Sequence, residues 1–261
     1  MQHMLQGKNL ALITTRLNRQ VSLGYFFVSK RITDLHLLDN ARDSLLFSPL
    51  YLYSTEKTDL FASPAQNTPR KPNFSEHFIH ALETSLKLQF IPEGHGDFNQ
   101  TISALNVFHY MYAVFHSPTY RQRYAEFLKI DFPRLPLTGN NILFKQLADL
   151  GEQLVNIHLM ETDLENDCSF PLKGDNLIKK LVYKNEKVYI NKIQYFDNVK
   201  PKIWEFHIGG YQVCEKWLKD RKDRTLSFED CSQYLYILAA IEKTQEVMEK
   251  IDETIGEFPL I

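Results

Sequence analysis

Nine histidines and three cysteines have the widest chemical reach of the residues in this 261-residue chain, and their spacing limits what they can do. His77 and His80 lie three apart, and His109 and His116 seven apart, each pair inside a stretch of helical periodicity. A zinc site would need a further ligand on the same face, as in HEXXH or paired cysteines, and neither occurs. These histidines therefore read as surface or packed side chains. Cys168, Cys214 and Cys231 are too scattered for a disulfide framework or a zinc knuckle, which fits a reducing cytoplasm. A nucleophile elbow of the GxSxG type, a phosphate loop ending in GK and a hydroxyl residue, and a GxGxxG turn are all missing, and GHG at 94–96 is too short to count. The Asn/Asp-Pro-Pro-aromatic motif that grips a flipped base during amino methylation is missing as well. No catalytic constellation stands out, and no cofactor or metal is expected on this chain.

What remains is a set of basic, aromatic and amide residues in loop-like contexts. They are Arg16 and Arg19; Lys30 and Arg31; Tyr120, Arg121 and Arg123; Arg134; the run Gly209, Gly210, Tyr211 and Gln212; and Lys216, Lys219, Arg221, Lys222 and Arg224. Lys and Arg neutralise phosphates whatever the base sequence, whereas Arg, Gln and Asn held rigidly can read base edges. The formal charge of −2 hides an uneven distribution. Residues 1–42 carry six basic against two acidic residues, 121–145 five against two, and 192–224 eight against five. Residues 225–261 hold two basic against eight acidic, and 146–176 one against seven. Such segregation suits a polyanion-binding surface, and it is also what solvated helix faces produce. For Gly209–Gly210 the plain alternative is a tight turn.

The elements that would position these residues form an α+β pattern: N-terminal short strands, a helical middle layer, a β-hairpin and a long C-terminal helix. LALITTR (10–16), YFFVSK (25–30), DLHLL (34–38) and LFSPLYLY (46–53) are β-rich runs. The polar segment 54–73, with three prolines, reads as a loop or linker. Ser75 opens a helix with Phe78, Ile79, Leu82, Leu86 and Phe90 on one face, and a longer helical stretch from Asp97 to about Ile130 breaks at Ser117–Thr119. DFPRLPL (131–137) is extended, and Asn140 or Asn141 caps a helix carrying Leu143, Leu147, Leu150, Leu154 and Ile157. IKKLVYKN and KVYINKIQYF alternate with period two around the turn Asn185–Lys187, an aromatic-rich strand runs from Lys202 into Gly209–Gly210, and a helical turn follows. Ser227 with Asp230 caps a last helix with the stripe Cys231, Leu235, Leu238, Ile241, Met248, Ile251 and Ile255. With 44% apolar residues, a continuous core is expected, and no apolar run reaches the roughly 18–20 residues of a membrane span.

Taken together, FHYMYAVFHSPTYRQRYAEFLKIDFPRLPL (108–137) and IWEFHIGGYQVCEKWLKDRK (203–222) resemble the C-terminal part of type ISP and related single-chain restriction-modification enzymes. The opening strands resemble the segment that follows the adenine N6-methyltransferase domain there. The resemblance implies a strand-rich segment over 1–53, a loop or linker over 54–74 and a target recognition domain over 75–261. It implies sequence-specific binding of double-stranded DNA, with no chemistry in this chain; S-adenosylmethionine and ATP would belong to methyltransferase and nuclease/helicase modules, which would be partners if separately encoded. A cytoplasmic protein without membrane association follows. The three basic stretches would converge on one concave face for the duplex, with the acidic segments turned away. The alternative is a protein–protein scaffold, which would expose the stripe Phe108, Tyr112 and Phe115.

Overall fold

β-Branched and aromatic residues in short runs build the opening sheet. Strands β1 (Ala11–Thr15), β2 (Phe26–Ser29) and β3 (Leu45–Pro49) lie in the antiparallel order β2-β1-β3, with Ala11 opposite both Ser29 and Pro49. In this computed structural model the described residues are 2–15, 26–33, 45–54, 69–165 and 167–260. The strand expected over 34–38 and most of the expected linker lie outside them. The chain divides into two units, Met1–Leu159 with Val247–Ile261, and Met160–Glu246.

In the first unit, LFSPLYLY does not continue as one strand. It breaks at Leu50, and β4 (Tyr51–Tyr53) pairs instead with β5 (Arg70–Pro72), at the end of the proline-containing segment. Arg70 holds this pair: its guanidinium lies 3.9 Å from the Tyr51 ring centre and donates to both Glu93 carboxylate oxygens at 2.6 and 2.7 Å. Helix α1 (Glu76–Leu86) starts at Ser75, whose Oγ accepts from the Phe78 N–H, and stops at Lys87 in the left-handed region, φ 55°. Phe90 therefore leaves the helix and joins β6 (Gln89–Ile91), parallel to β7 (Thr101–Ser103). Asp97 explains why the next helix starts late: its Oδ1 accepts from the N–H groups of Asn99, Gln100 and Thr101 and closes a turn. Ser103 and Asn106 then form the capping box of α2 (Ala104–His116).

Ser117 ends α2 and caps α3 (Pro118–Arg123), which α4 (Ala125–Ile130) follows. Asn140 caps α5 (Asn141–His158) through Ile142 and Leu143. The buried face of α5 runs through Phe144, Leu147, Gly151, Leu154 and Val155; Leu143 and Leu150 are only half-buried. α2 is buried on nearly every side, Phe108, Tyr112 and Phe115 included, and Gly151 lets α5 approach its backbone closely. The stripe that a scaffold would expose is core.

In the second unit, β8 (Val182–Lys184) and β9 (Lys187–Tyr189) form the expected hairpin, with Asn185 and Glu186 both at positive φ in the turn, and β10 (Tyr195–Phe196) adds antiparallel to β9. In place of the expected aromatic strand after Lys202, Pro201 starts a short helix, α6 (Pro201–Trp204). A two-stranded hairpin, β11 (His207–Ile208) and β12 (Tyr211–Gln212), and α7 (Val213–Lys219) come next. Helix α8 (Phe228–Ile255) opens with the reciprocal Ser227–Asp230 cap; its residues to Glu246 belong to this unit and those from Val247 to the first. Cys231, Tyr234, Leu238 and Ile241 point into a core of Val188, Phe196, Ile203, Cys214 and Leu218. Tyr234 fills the position expected of Leu235, with its ring 4.4 Å from Phe196 and 5.1 Å from Trp217. Likewise Val247, not Met248, is the buried residue further along. The fold is α+β, and no helix among the described residues is long and apolar enough to cross a membrane.

Candidate nucleic-acid interface

The first unit presents some of the expected cations and encloses another. Arg16 and Arg19 lie outside the described residues. Lys30 and Arg31 are exposed beyond β2, where Ser29 Oγ accepts from the Arg31 N–H at 2.9 Å and donates to the Arg31 carbonyl at 2.7 Å. Arg123, in the last turn of α3, and Arg134, in the extended run 131–139, are exposed and form no ion pair among the described residues. The Arg134 carbonyl is held by the Tyr120 hydroxyl at 2.7 Å.

Arg121 is placed inside the unit and not on its surface, only 8% exposed. Its Nε donates to the Phe115 carbonyl at 2.6 Å and its guanidinium sits 5.5 Å from the Phe26 ring centre. Burial lowers its pKa to about 10. Around it, His116 Nδ1 lies 2.8 Å from the Tyr112 carbonyl and His158 Nδ1 2.7 Å from the Tyr112 hydroxyl. Desolvation first, and then the Arg121 charge, hold both imidazoles below their ordinary value, His158 at about 4. Arg121, which read as a phosphate contact, thus forms a buried polar cluster with two packed histidines. Helical spacing put Arg121 beside Arg123 in sequence, but one faces the core and the other water.

An open groove of about 480 Å³ flanks the start of α5, with Phe98, Asn99, Asn141, Lys145 and Gln146 in its walls. The buried Asn141 Oδ1 has no hydrogen-bond partner among the described residues.

In the second unit the α7 cations are largely neutralised locally. Lys216 pairs with Asp220 at 2.6 Å, Lys219 with Glu215 at 2.7 Å, and Lys200 with Glu242 at 2.7 Å. Arg221 stacks on Trp217, 3.5 Å from the ring centre, and reaches Asp230 at 3.6 Å. Gly209 takes φ 61° at the tip of the β11–β12 hairpin, a conformation glycine adopts freely, with the exposed Gly210 beside it. Tyr211 is half-buried, its ring centre 5.7 Å from Lys216 Nζ. Gln212 turns inward, its Nε2 donating to the Trp204 carbonyl at 2.6 Å.

Lys222 and Arg224 are exposed and make no ion pair among the described residues. Backbone bonds place them beside lysines absent from the sequence-derived set. Ile178 donates to the Arg224 carbonyl at 3.0 Å, Asp223 to the Ile178 carbonyl at 2.9 Å, and Lys179 to the Ile190 carbonyl at 2.8 Å. Segments 176–180, 190–192 and 222–226 are therefore laced together, and Lys179, Lys180 and Lys192 are exposed among them without an ion pair among the described residues. A charge window over 173–192, with six lysines against Asp175 and Glu186, would have drawn attention to them. Among the described residues no three His, Cys, Asp or Glu side chains gather as metal ligands.

Residues 1–250 match the family model of the type ISP C-terminal specificity domain. The chain belongs to this family. Solved structures share the fold of this specificity domain. It is similar to an ATP-dependent type ISP restriction-modification enzyme, LlaBIII, bound to DNA, at TM-score 0.69 and 17% identity over 98% of this chain and 16% of that one. A nuclease-deletion mutant of the type ISP enzyme LlaGI with a DNA substrate mimic gives TM-score 0.57 and 20% identity over 96% and 21% of the two chains. A DrdV–DNA complex gives 0.63 and 20% over 97% and 25%. The specificity domain thus spans between about a sixth and a quarter of the length of these solved chains. Among curated proteins, none matches it.

Proposed function

We propose that this chain recognises a defined sequence in duplex DNA as the target recognition part of a restriction-modification enzyme, and that it contributes no bond-making step itself. The observation that carries this reading is the family match over 1–250. Exposed, unpaired cations in both units support it, because phosphate neutralisation needs charges that are not already committed to carboxylates. In the first unit Arg31, Arg123 and Arg134 are the candidates for phosphate contact that carry this support, and Lys30 is an exposed candidate beside Arg31; Arg121 is enclosed and is not one. In the second, Lys222 and Arg224 are stronger candidates than Lys216, Lys219 and Arg221, whose charges are shared with acids of the same unit. The Gly209–Gly210 tip can bring backbone close to the sugar-phosphate chain, with Tyr211 alongside. S-adenosylmethionine, ATP and the methyltransferase and nuclease/helicase modules that use them are assigned to other parts of the enzyme.

The test is selection of the whole chain on random duplexes, sequencing of the retained fraction, and titration of the enriched duplex at rising salt. A recognition domain enriches one sequence and loses affinity steeply between about 50 and 200 mM salt. Retention of all sequences alike, or binding insensitive to salt, would overturn the proposal.

A further inference from the structure

Five exposed cations, Lys179, Lys180, Lys192, Lys222 and Arg224, come from three separate segments of the chain that backbone and side-chain hydrogen bonds lace together. From this juxtaposition we infer that they form a phosphate clamp, which holds the duplex through its backbone irrespective of sequence and leaves base reading to other residues. The inference rests on the DNA-recognition reading and assigns a division of labour within it.

Three observations converge on a clamp. First, the charges are available. Of the carboxylates nearest in the chain, Asp220 is paired with Lys216 at 2.6 Å, which leaves Asp175 and Asp223, and Asp175 Oδ1 already accepts from the Leu177 N–H at 3.1 Å. Five cations against two acids leave a local excess, unlike α7, where Lys216 and Lys219 each have an acid of their own. Second, the platform is stiff. Besides the backbone bonds, the buried Gln194 donates to the Leu172 carbonyl at 3.0 Å and to Asn176 Oδ1 at 2.7 Å, and accepts from the Asn176 N–H at 2.9 Å. Gly174 is needed for this packing, since a Cβ there would stand 2.6 Å from the Gln194 amide.

Third, the groups that could read bases here are turned inward. Asn176 Nδ2 donates to the Leu226 carbonyl at 3.3 Å, Asn191 Nδ2 to the Leu177 carbonyl at 3.2 Å, and both ends of the Gln194 amide are engaged. Asn and Gln discriminate adenine by presenting donor and acceptor together, which these cannot do. What faces outward is four lysines and one arginine. Lysine meets phosphate as a flexible point charge, without the planar fork that makes base recognition geometric.

The experiment compares the whole chain with the triple variant K179A/K180A/R224A on the enriched duplex and on an unrelated one, across 50–200 mM salt. Each lost phosphate contact lowers the slope of log affinity against log salt by about 0.9, so three lower it by about 2.7. Over a fourfold change in salt, the variant should then lose about 40-fold less affinity than the parent, and its weakening at low salt should be equal for both duplexes. The variant K179R/K180R should keep the parental slope, and an unchanged thermal midpoint shows that the triple variant is folded. An unaltered slope, or weakening confined to the enriched sequence, would overturn the clamp while leaving DNA recognition standing. A parent chain that binds neither duplex overturns the recognition reading and the clamp with it.

Discussion

Gly151→Ala tests the packing on which the first unit is built. An alanine Cβ at this position would lie 1.9 Å from the His109 carbonyl oxygen and 2.6 Å from its carbon, both of them backbone atoms of α2. An ordinary contact begins near 3.4 Å, so the helices would have to separate by about 1.5 Å. Neither can move alone, because Phe108, Tyr110, Tyr112 and Phe115 of α2 are almost fully buried and Tyr110 stacks on Phe144 of α5 at 4.5 Å. Removing a glycine from a helix interior favours folding by about 1 kcal/mol. Forcing a well-packed interface apart costs about 1–3 kcal/mol or more, and loosening several aromatic contacts adds to it. The net expectation is a loss of about 2–4 kcal/mol, which for a chain of this size lowers the thermal midpoint by roughly 5–15 °C. Urea and thermal unfolding of the whole chain, followed by near-ultraviolet circular dichroism, measure it. A variant with a midpoint equal to or above that of the parent would refute the close-crossing argument, since propensity alone predicts a gain.

Other expectations concern the polar cluster beside that crossing. Arg121→Ala removes a buried charged donor from the Phe115 carbonyl and should cost about 2–4 kcal/mol, whereas the exposed Arg123→Ala should stay within about 0.5 kcal/mol; equal urea midpoints for the two would count against the burial of Arg121. His109 and His158 are held near 4 by burial, and His116 well below its ordinary value of 6.5, so the unfolded chain binds more protons as pH falls through the interval from about 6.5 to 4. Their contribution to stability is complete above about pH 6.5 and declines below it. Midpoints measured at pH 7 and pH 5, where carboxylates remain largely ionised, should fall, and His158→Gln should flatten the change. A midpoint constant over that range would show that these imidazoles are not buried in the neutral form.

Much of the fold was legible from neighbouring residues alone. Ser75, Asn140 and Ser227 cap helices where their sequence contexts place caps, Ser117 breaks α2 from α3, and Asn185–Glu186 turns the β8–β9 hairpin. Each depends on hydrogen bonds spanning only a few positions, so local sequence suffices. The two long blocks that resemble type ISP enzymes were equally readable, and the family match agrees with them. Tertiary structure decided which cations are available. Arg121 and Arg123 differ by two positions, yet one is desolvated against Phe115 and Phe26 while the other meets water. Lys216 and Lys219 look as basic as Lys222 and Arg224 until their acids are seen beside them. Lys179 and Lys180 join Arg224 only because strand-like bonds bring residues more than forty positions apart into register. Burial and charge environment are sums over neighbours in space, and those neighbours come from segments that local periodicity does not relate.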